Sequence, residues 1–395
     1  ALIRGCIGRP PFLSDRTNAV LLLVAMLMVL GCFGASSGWL AWVGLANWLP
    51  FFLAFWAFQP YLSSAEARRR IALILVAGTI PVILTGLGQL GLGWSGPFQS
   101  LGGLIIWHIK AGGNPPGRLA GLFDYANIAG AWLVLVWPLA LAALLQPGLR
   151  PPARVVVMGI VVSLLVAVFL TDSRNAWGAL LLAVPLVAGP LTWIWLLPLL
   201  LLGLLLVALA SLTAVPAPLQ DQVRLVVPEQ IWGRLSDLDF AGQRPLAITR
   251  LAQWRVALGL IGEHPWLGWG AAAFSVIYPL RTGHWHGHPH NLPIDLALSH
   301  GVPVAALVVG LVLWLLVCSA RAGMAGGRLF ERAWWASVLV LLALHASDIP
   351  MYDSRINVAG WVLLVGLREA CRRDDCRTGN RRPEAGPSPF PEAPG

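Results

Sequence analysis

VPVAALVVGLVLWLLVC, residues 302–318, is an apolar run without a charged side chain; Gly301 precedes it, and GHPHN, residues 287–291, stands shortly before. With its flanks, such a run is long enough to enter a hydrocarbon layer of about 30 Å as a helix. The rest of the chain agrees in character. Of its 395 residues, 57% are hydrophobic and 11% charged, and the mean hydropathy is +0.72. So much apolar surface exceeds what a water-soluble core can bury, and the chain reads as an integral membrane protein.

Similar runs lie near 18–35, 39–58, 71–90, 127–146, 154–171, 175–190, 193–213, 302–320, 333–347 and 354–369. Lipid offers backbone N–H and C=O groups no partner, and these runs lack the alternation of barrel strands, so the spans are expected to be helices. The expected fold is therefore all-α: a polytopic membrane bundle of about ten (8–12) transmembrane helices. Residues 1–372 form its membrane domain, and 214–292 form a large loop on one face. The charged, then Pro-rich stretch 373–395 cannot bury a core and reads as a disordered tail. Residues 1–17 lack the apolar centre of a signal peptide, so the first span is expected to be a retained anchor, or the chain to begin inside a longer one.

Orientation follows the basic residues. Of 27 Lys and Arg, 17 fall in the termini and short loops of one side, including Arg68, Arg69, Arg70, Arg321, Arg328 and Arg332. That side is expected to be cytoplasmic, with both termini on it. The net charge of +9 then belongs to the membrane face, and a nucleic-acid partner is not needed to explain it. Five cysteines split between spans and the cytoplasmic side imply no disulfide framework.

Two outer segments are long, 91–126 and 214–292, and loops of that length without a role are uncommon. Four motif regions converge on this face. They are RLAGLFDYAN (118–127), TDSR (171–174), TRLAQWR (249–255) with EHPWLGWG (263–270), and the His290 region. An amphipathic segment from about Leu246 to Ile261 carries the third. Asp124 and Asn127 read as N-caps of the fourth span. Asp172 and Asp348 read as partners of arginines rather than as acids.

In order and spacing these motifs together resemble the O-antigen ligase and polymerase superfamily, membrane enzymes that move glycans off a polyprenyl-diphosphate carrier. The superfamily signature is His, then Asn, Ser or Gln, nine residues, Gly, two residues and Gly. Here His290, Asn291 and Gly301 match, whereas Val304 stands in the place of the second glycine. The resemblance makes His290 the catalytic base beside the acceptor, and Arg174 and Arg250 the diphosphate-binding pair. Arg118, Asn291, Asp172 and Trp254 are possible supporting residues. It implies a polyprenyl-diphosphate-linked glycan donor, a glycan or lipid A core acceptor, and an inner-membrane location. It also leaves open a polysaccharide polymerase and an inorganic-carbon (bicarbonate) carrier.

Physical chemistry makes these residue types suitable. Transfer from a lipid diphosphate develops negative charge on the leaving oxygens, and a guanidinium is always charged and meets phosphate oxygens in two-pronged fashion. A sugar hydroxyl is a poor nucleophile, and histidine is the side chain whose ordinary titration suits taking its proton. No paired acidic metal motif is evident, so no metal and no cofactor are expected. The competing readings are plain ones. Arg174 could be an interfacial anchor and Arg250 an exposed residue of an amphipathic helix. His284, His286, His288 and His290 recur at every second residue and could mark a zinc or copper site. Pro289 and two glycines disturb that alignment, so the first three read as solvated loop residues. A carrier would instead need charged or broken helices at the bilayer midplane, and a scaffold would need no grouped arginines and histidine.

Overall fold

The computed structural model describes residues 15–103, 105–212, 215–229, 231–232 and 249–379, with side chains through Arg372. Arg4, Arg9, Arg234 and Arg244, the start of the amphipathic segment at Leu246, and the tail beyond 379 lie outside the described residues.

The helices are α1 (Arg16–Cys32), α2 (Trp39–Leu62, interrupted by 3-10 turns), α3 (Ala65–Gly91), α4 (Ala126–Leu145), α5 (Pro151–Leu170), α6 (Arg174–Ala188) and α7 (Trp193–Ser211). After the long loop begins come α8 (Ala217–Arg224), α9 (Arg250–Glu263), α10 (Ala273–Thr282) and α11 (Leu292–His300). The chain then closes with α12 (Val302–Arg321), α13 (Leu329–His345) and α14 (Ser354–Gly379). A helix occupies each of the ten apolar runs. Among the described residues, six helices are long and apolar enough to cross a membrane, and α1 and α6 are shorter apolar ones. The molecule is a helical membrane bundle.

Local chemistry starts several of these helices where they start. The Asp15 carboxylate accepts from Thr17 N at 2.8 Å, Ser64 Oγ accepts from Ala67 N at 3.0 Å, and proline opens α5. Each satisfies or removes a backbone donor that the first turn leaves without an intrahelical partner.

The centre of the bundle is α4, 72% of whose apolar window is buried, against 11% for the span that ends in α7. A helix apolar all round suits either interior or lipid, and packing distinguishes the two: α4 is enclosed by α3, α5, α6 and α13, whereas α7 lies at the periphery. Arg332, near the start of α13, donates to the Val187 carbonyl at the end of α6, at 3.2 and 3.0 Å. The two helices are therefore antiparallel, and Arg174 at the start of α6 lies at the same end as His345 and the loop after it. We call this the site end.

One difference from the all-helical reading lies in the first outer segment. Phe98–Ser100 (β1) and Ile105–Trp107 (β2) form a small antiparallel hairpin, Phe98 opposite Trp107. Gly102 and Gly103 adopt the left-handed backbone of a tight reversal, and the β-branched and aromatic run Ile105–Trp107 that follows favours a strand over a helix. Gln89 ties this segment to α3: its amide donates to the Lys110 carbonyl at 2.7 Å and its oxygen accepts from Ala120 and Gly121 N at 3.0 and 2.8 Å.

At the opposite end, Arg68 lies 3% exposed, in a two-pronged contact with Glu331 at 2.9 and 2.5 Å and donating to the Leu62 carbonyl at 2.9 Å. Removing one member of a buried pair strands the other charge. Arg68→Ala should therefore lower stability by about 3–5 kcal/mol. The Arg68→Met, Glu331→Leu double variant should recover most of that in thermal unfolding in detergent. A single variant no worse than the double one would contradict this.

Candidate active site

The loop that carries His290 is held from three sides. Asn291 caps α11, its side-chain oxygen accepting from Ile294 N at 3.0 Å, and its amide donates to the Ala346 carbonyl at 2.9 Å. Trp254, one turn into α9, donates its indole N–H to the Pro289 carbonyl at 2.8 Å. His290 itself has φ 52, a left-handed backbone uncommon outside glycine. Strain of this kind persists where the surroundings over-determine it, and such positions cluster at functional sites.

Behind the histidine stands Asp348, just past the end of α13. Its Oδ1 lies 3.0 Å from His290 Nδ1 and accepts from Ile349 N at 2.9 Å, while its Oδ2 lies 3.9 Å from the Arg250 guanidinium. The carboxylate is 11% exposed, His290 29% and Arg250 38%, so the two partners reach outward from a largely buried acid. Burial alone pushes the Asp348 carboxyl up. The hydrogen bond and charge of His290, the Ile349 N–H and the nearby His288 outweigh burial and hold it below the usual carboxylate range.

His288 departs from the solvated reading. It is half-buried, its ring 4.4 Å from that of His290 and 5.9 Å from that of Tyr352, and its Nδ1 accepts from His290 N at 3.2 Å. Burial first, then the charge of His290, pushes it down to about 4, so it is neutral at physiological pH. Tyr352 in turn donates to Asp295 on α11. His288, His290 and Asp348 each offer one ligand atom within 4.8 Å of the others, a spacing that could hold a metal ion. The Asp348 charge is already shared between Arg250 and His290, and a cation there would compete with that guanidinium.

Arg118 and Asp172 meet in a second cluster at the site end. Arg118 donates to the Thr171 carbonyl at 2.8 Å and to Asn127 Oδ1 at 2.6 Å, with Asp172 at 3.9 Å. Asp172 has φ 49, the same uncommon region as His290. The capping reading of Asp124 and Asn127 gives way here. Tyr125 holds the cap position of α4 with no side-chain bond, and Asn127 serves Arg118 instead. Arg174 is exposed at the first turn of α6, at the same end of the bundle. Arg355 joins the two clusters' supporting loops, donating to the Leu122 carbonyl at 2.7 Å and lying 3.9 Å over the Phe123 ring, just past the short 3-10 turn Pro350–Tyr352.

Gly301 has a steric reason. It adopts φ 88, and a Cβ on it would fall on the Trp266 carbonyl oxygen. Only glycine lets the α11–α12 junction lie against EHPWLGWG, where Trp269 N donates to Leu298 O at 2.8 Å and Val302 N to Pro265 O at 2.8 Å. Val304 needs no such room: it points into the core and is fully buried.

Asp348 is the residue that sequence reasoning named only as an arginine partner and left out of the site. It also partners His290, and no local spacing reports a contact 58 residues apart. Its folded-state value lies below the ordinary 3.8, so its stabilising contribution is whole above that pH and drains as pH falls below it. The stability gap between wild type and Asp348→Asn should stay level from neutral pH down to about 4 and narrow below. Thermal unfolding across pH measures this, and a gap that stays level in stronger acid would contradict it.

Residues 159–309 match the family model described as O-antigen ligase. No curated protein matches the chain. The matched region runs from within α5, through Arg174, Arg250 and His290, into α12. Over this region, less than half of the chain, the protein is similar to the O-antigen ligase family, a similarity that suggests glycan and lipid-linked substrates in a membrane setting.

Proposed function

We propose that the protein is an O-antigen ligase-like glycosyltransferase of the bacterial inner membrane. It moves a glycan from a polyprenyl-diphosphate carrier onto an acceptor hydroxyl at the periplasmic face, with both termini cytoplasmic. The observation that carries this reading is the Asp348 carboxylate shared between His290 and Arg250. A carboxylate on Nδ1 favours the tautomer that donates there and leaves Nε2 free of a proton, ready to take one. It also fixes the ring's orientation.

In the reaction, His290 Nε2 removes the proton from the acceptor hydroxyl as that oxygen bonds to the anomeric carbon. The bond from that carbon to the diphosphate oxygen breaks, and the electron pair leaves with the polyprenyl diphosphate. Attack opposite the leaving group inverts the anomeric centre. Charge growing on the diphosphate is met by Arg250 and Arg174, each at the first turn of a helix, where the backbone N–H groups and helix dipole also favour an anion. Two guanidinium groups can supply this stabilisation without a divalent cation. Asp348 is a positioning residue for both His290 and Arg250, and Trp254 and Asn291 fix the His290 loop.

His290→Ala in the native host should leave finished polymer on its carrier, seen as a changed surface-polysaccharide ladder on a gel. Single-unit products would instead identify a polymerase of the same superfamily. An unchanged ladder, with altered bicarbonate uptake, would overturn the transferase reading in favour of a carrier. Asp348→Asn should slow transfer by roughly 10²–10⁴-fold, the range for losing effective general-base catalysis. Arg250→Lys, which keeps the charge and loses the fork, should weaken donor use more than acceptor use.

A further inference from the structure

A cavity of about 240 Å³ lies between α12, α13 and α14, beside the His290 loop. Trp48, Val309, Leu341 and Trp361 give it an apolar wall, and it reaches Ala346 and Met351 on either side of Asp348. It is wider than the roughly 150 Å³ apolar cavity that accepts a benzene ring. Leu313 at its rim is 46% exposed. On a helix that faces lipid, that exposure opens the cavity toward hydrocarbon rather than water.

Two polar side chains interrupt the wall, His345 and Asn357, both nine-tenths or more buried. His345 Nε2 and Asn357 Oδ1 have no hydrogen-bond partner. The rest of each side chain is engaged: Asn357 Nδ2 donates to the Asn47 carbonyl at 2.9 Å, and the His345 ring bonds the Leu341 backbone. A neutral imidazole that donates from one nitrogen presents the other as an acceptor, so both unpartnered atoms are acceptors. Buried acceptors are costly until a donor meets them.

We propose that this cavity binds one lipid hydrocarbon chain bearing hydrogen-bond donors, of the hydroxyacyl-amide type. The chain lies along the apolar wall, and its amide N–H and hydroxyl donate to His345 Nε2 and Asn357 Oδ1. A polyprenyl chain offers no donor and would leave both acceptors unmet, so the donor substrate's tail does not suit this cavity. Nothing in this site depends on the transfer chemistry at His290.

The test uses two probes in detergent solution, hydroxymyristoyl amide and methyl myristate, which share a chain length and differ in donors. Native mass spectrometry should show the intact protein retaining the amide about tenfold more tightly than the ester, the discrimination expected from the donor hydrogen bonds. A His345→Leu, Asn357→Leu variant should bind both probes alike. Val309→Trp, which fills the cavity, should lose both, and His290→Ala should keep the wild-type preference. Equal retention by wild type, a preference that survives the double leucine variant, or displacement of the amide by polyprenyl phosphate would each overturn the proposal.

Discussion

Asp348 carries one negative charge shared between an arginine and a histidine, and that sharing organises the site end of the bundle. His290 and Arg250 come from different segments of the chain and meet only because α13 ends where α9 and α11 begin. The carboxylate is almost buried, so it needs both partners. They in turn are held in position by a group that solvent reaches poorly. The His288 ring, Tyr352 and Asp295 extend the same network toward α11.

A bilayer enforces the wider arrangement. Backbone polar groups must be satisfied within helices, so ionisable side chains collect at helix ends. Arg68 with Glu331, and Arg368 with Asp15 and Glu369, lie at one end. Arg118 with Asp172, Arg250 with Asp348, and Arg355 with Asp353 lie at the other. Three helices, α6, α9 and α11, begin at the site end with Arg174, Arg250 and the His290–Asn291 pair. Helix starts present partial positive charge and unpaired N–H groups, so this end of the bundle gathers positive potential.

Much of this was legible in sequence because apolar length and helix-end charge are local properties. The runs around 127–146 and 302–320 announce α4 and α12 without any knowledge of their neighbours. His290 and Gly301 could be singled out through a spaced motif, and Gly301 proves to have a steric need that spacing alone does not explain. What stayed hidden is tertiary. The enclosure of α4 and the peripheral place of α7 look alike in composition, because lipid and protein interior are equally apolar. The partnership of Asp348 with His290 spans 58 residues. Asn127 resembled a cap and instead receives Arg118 from a neighbouring loop, and the β1–β2 hairpin hides in a Gly-rich segment whose strands are three residues each.

The most direct test of the central claim is an experimental structure of the protein with a non-hydrolysable polyprenyl-diphosphate glycan bound. Diphosphate oxygens within hydrogen-bonding distance of both Arg250 and Arg174, with His290 Nε2 facing the anomeric carbon from the opposite side, are the predicted result. A diphosphate seated away from these arginines, or a His290 ring turned from the sugar, would contradict it.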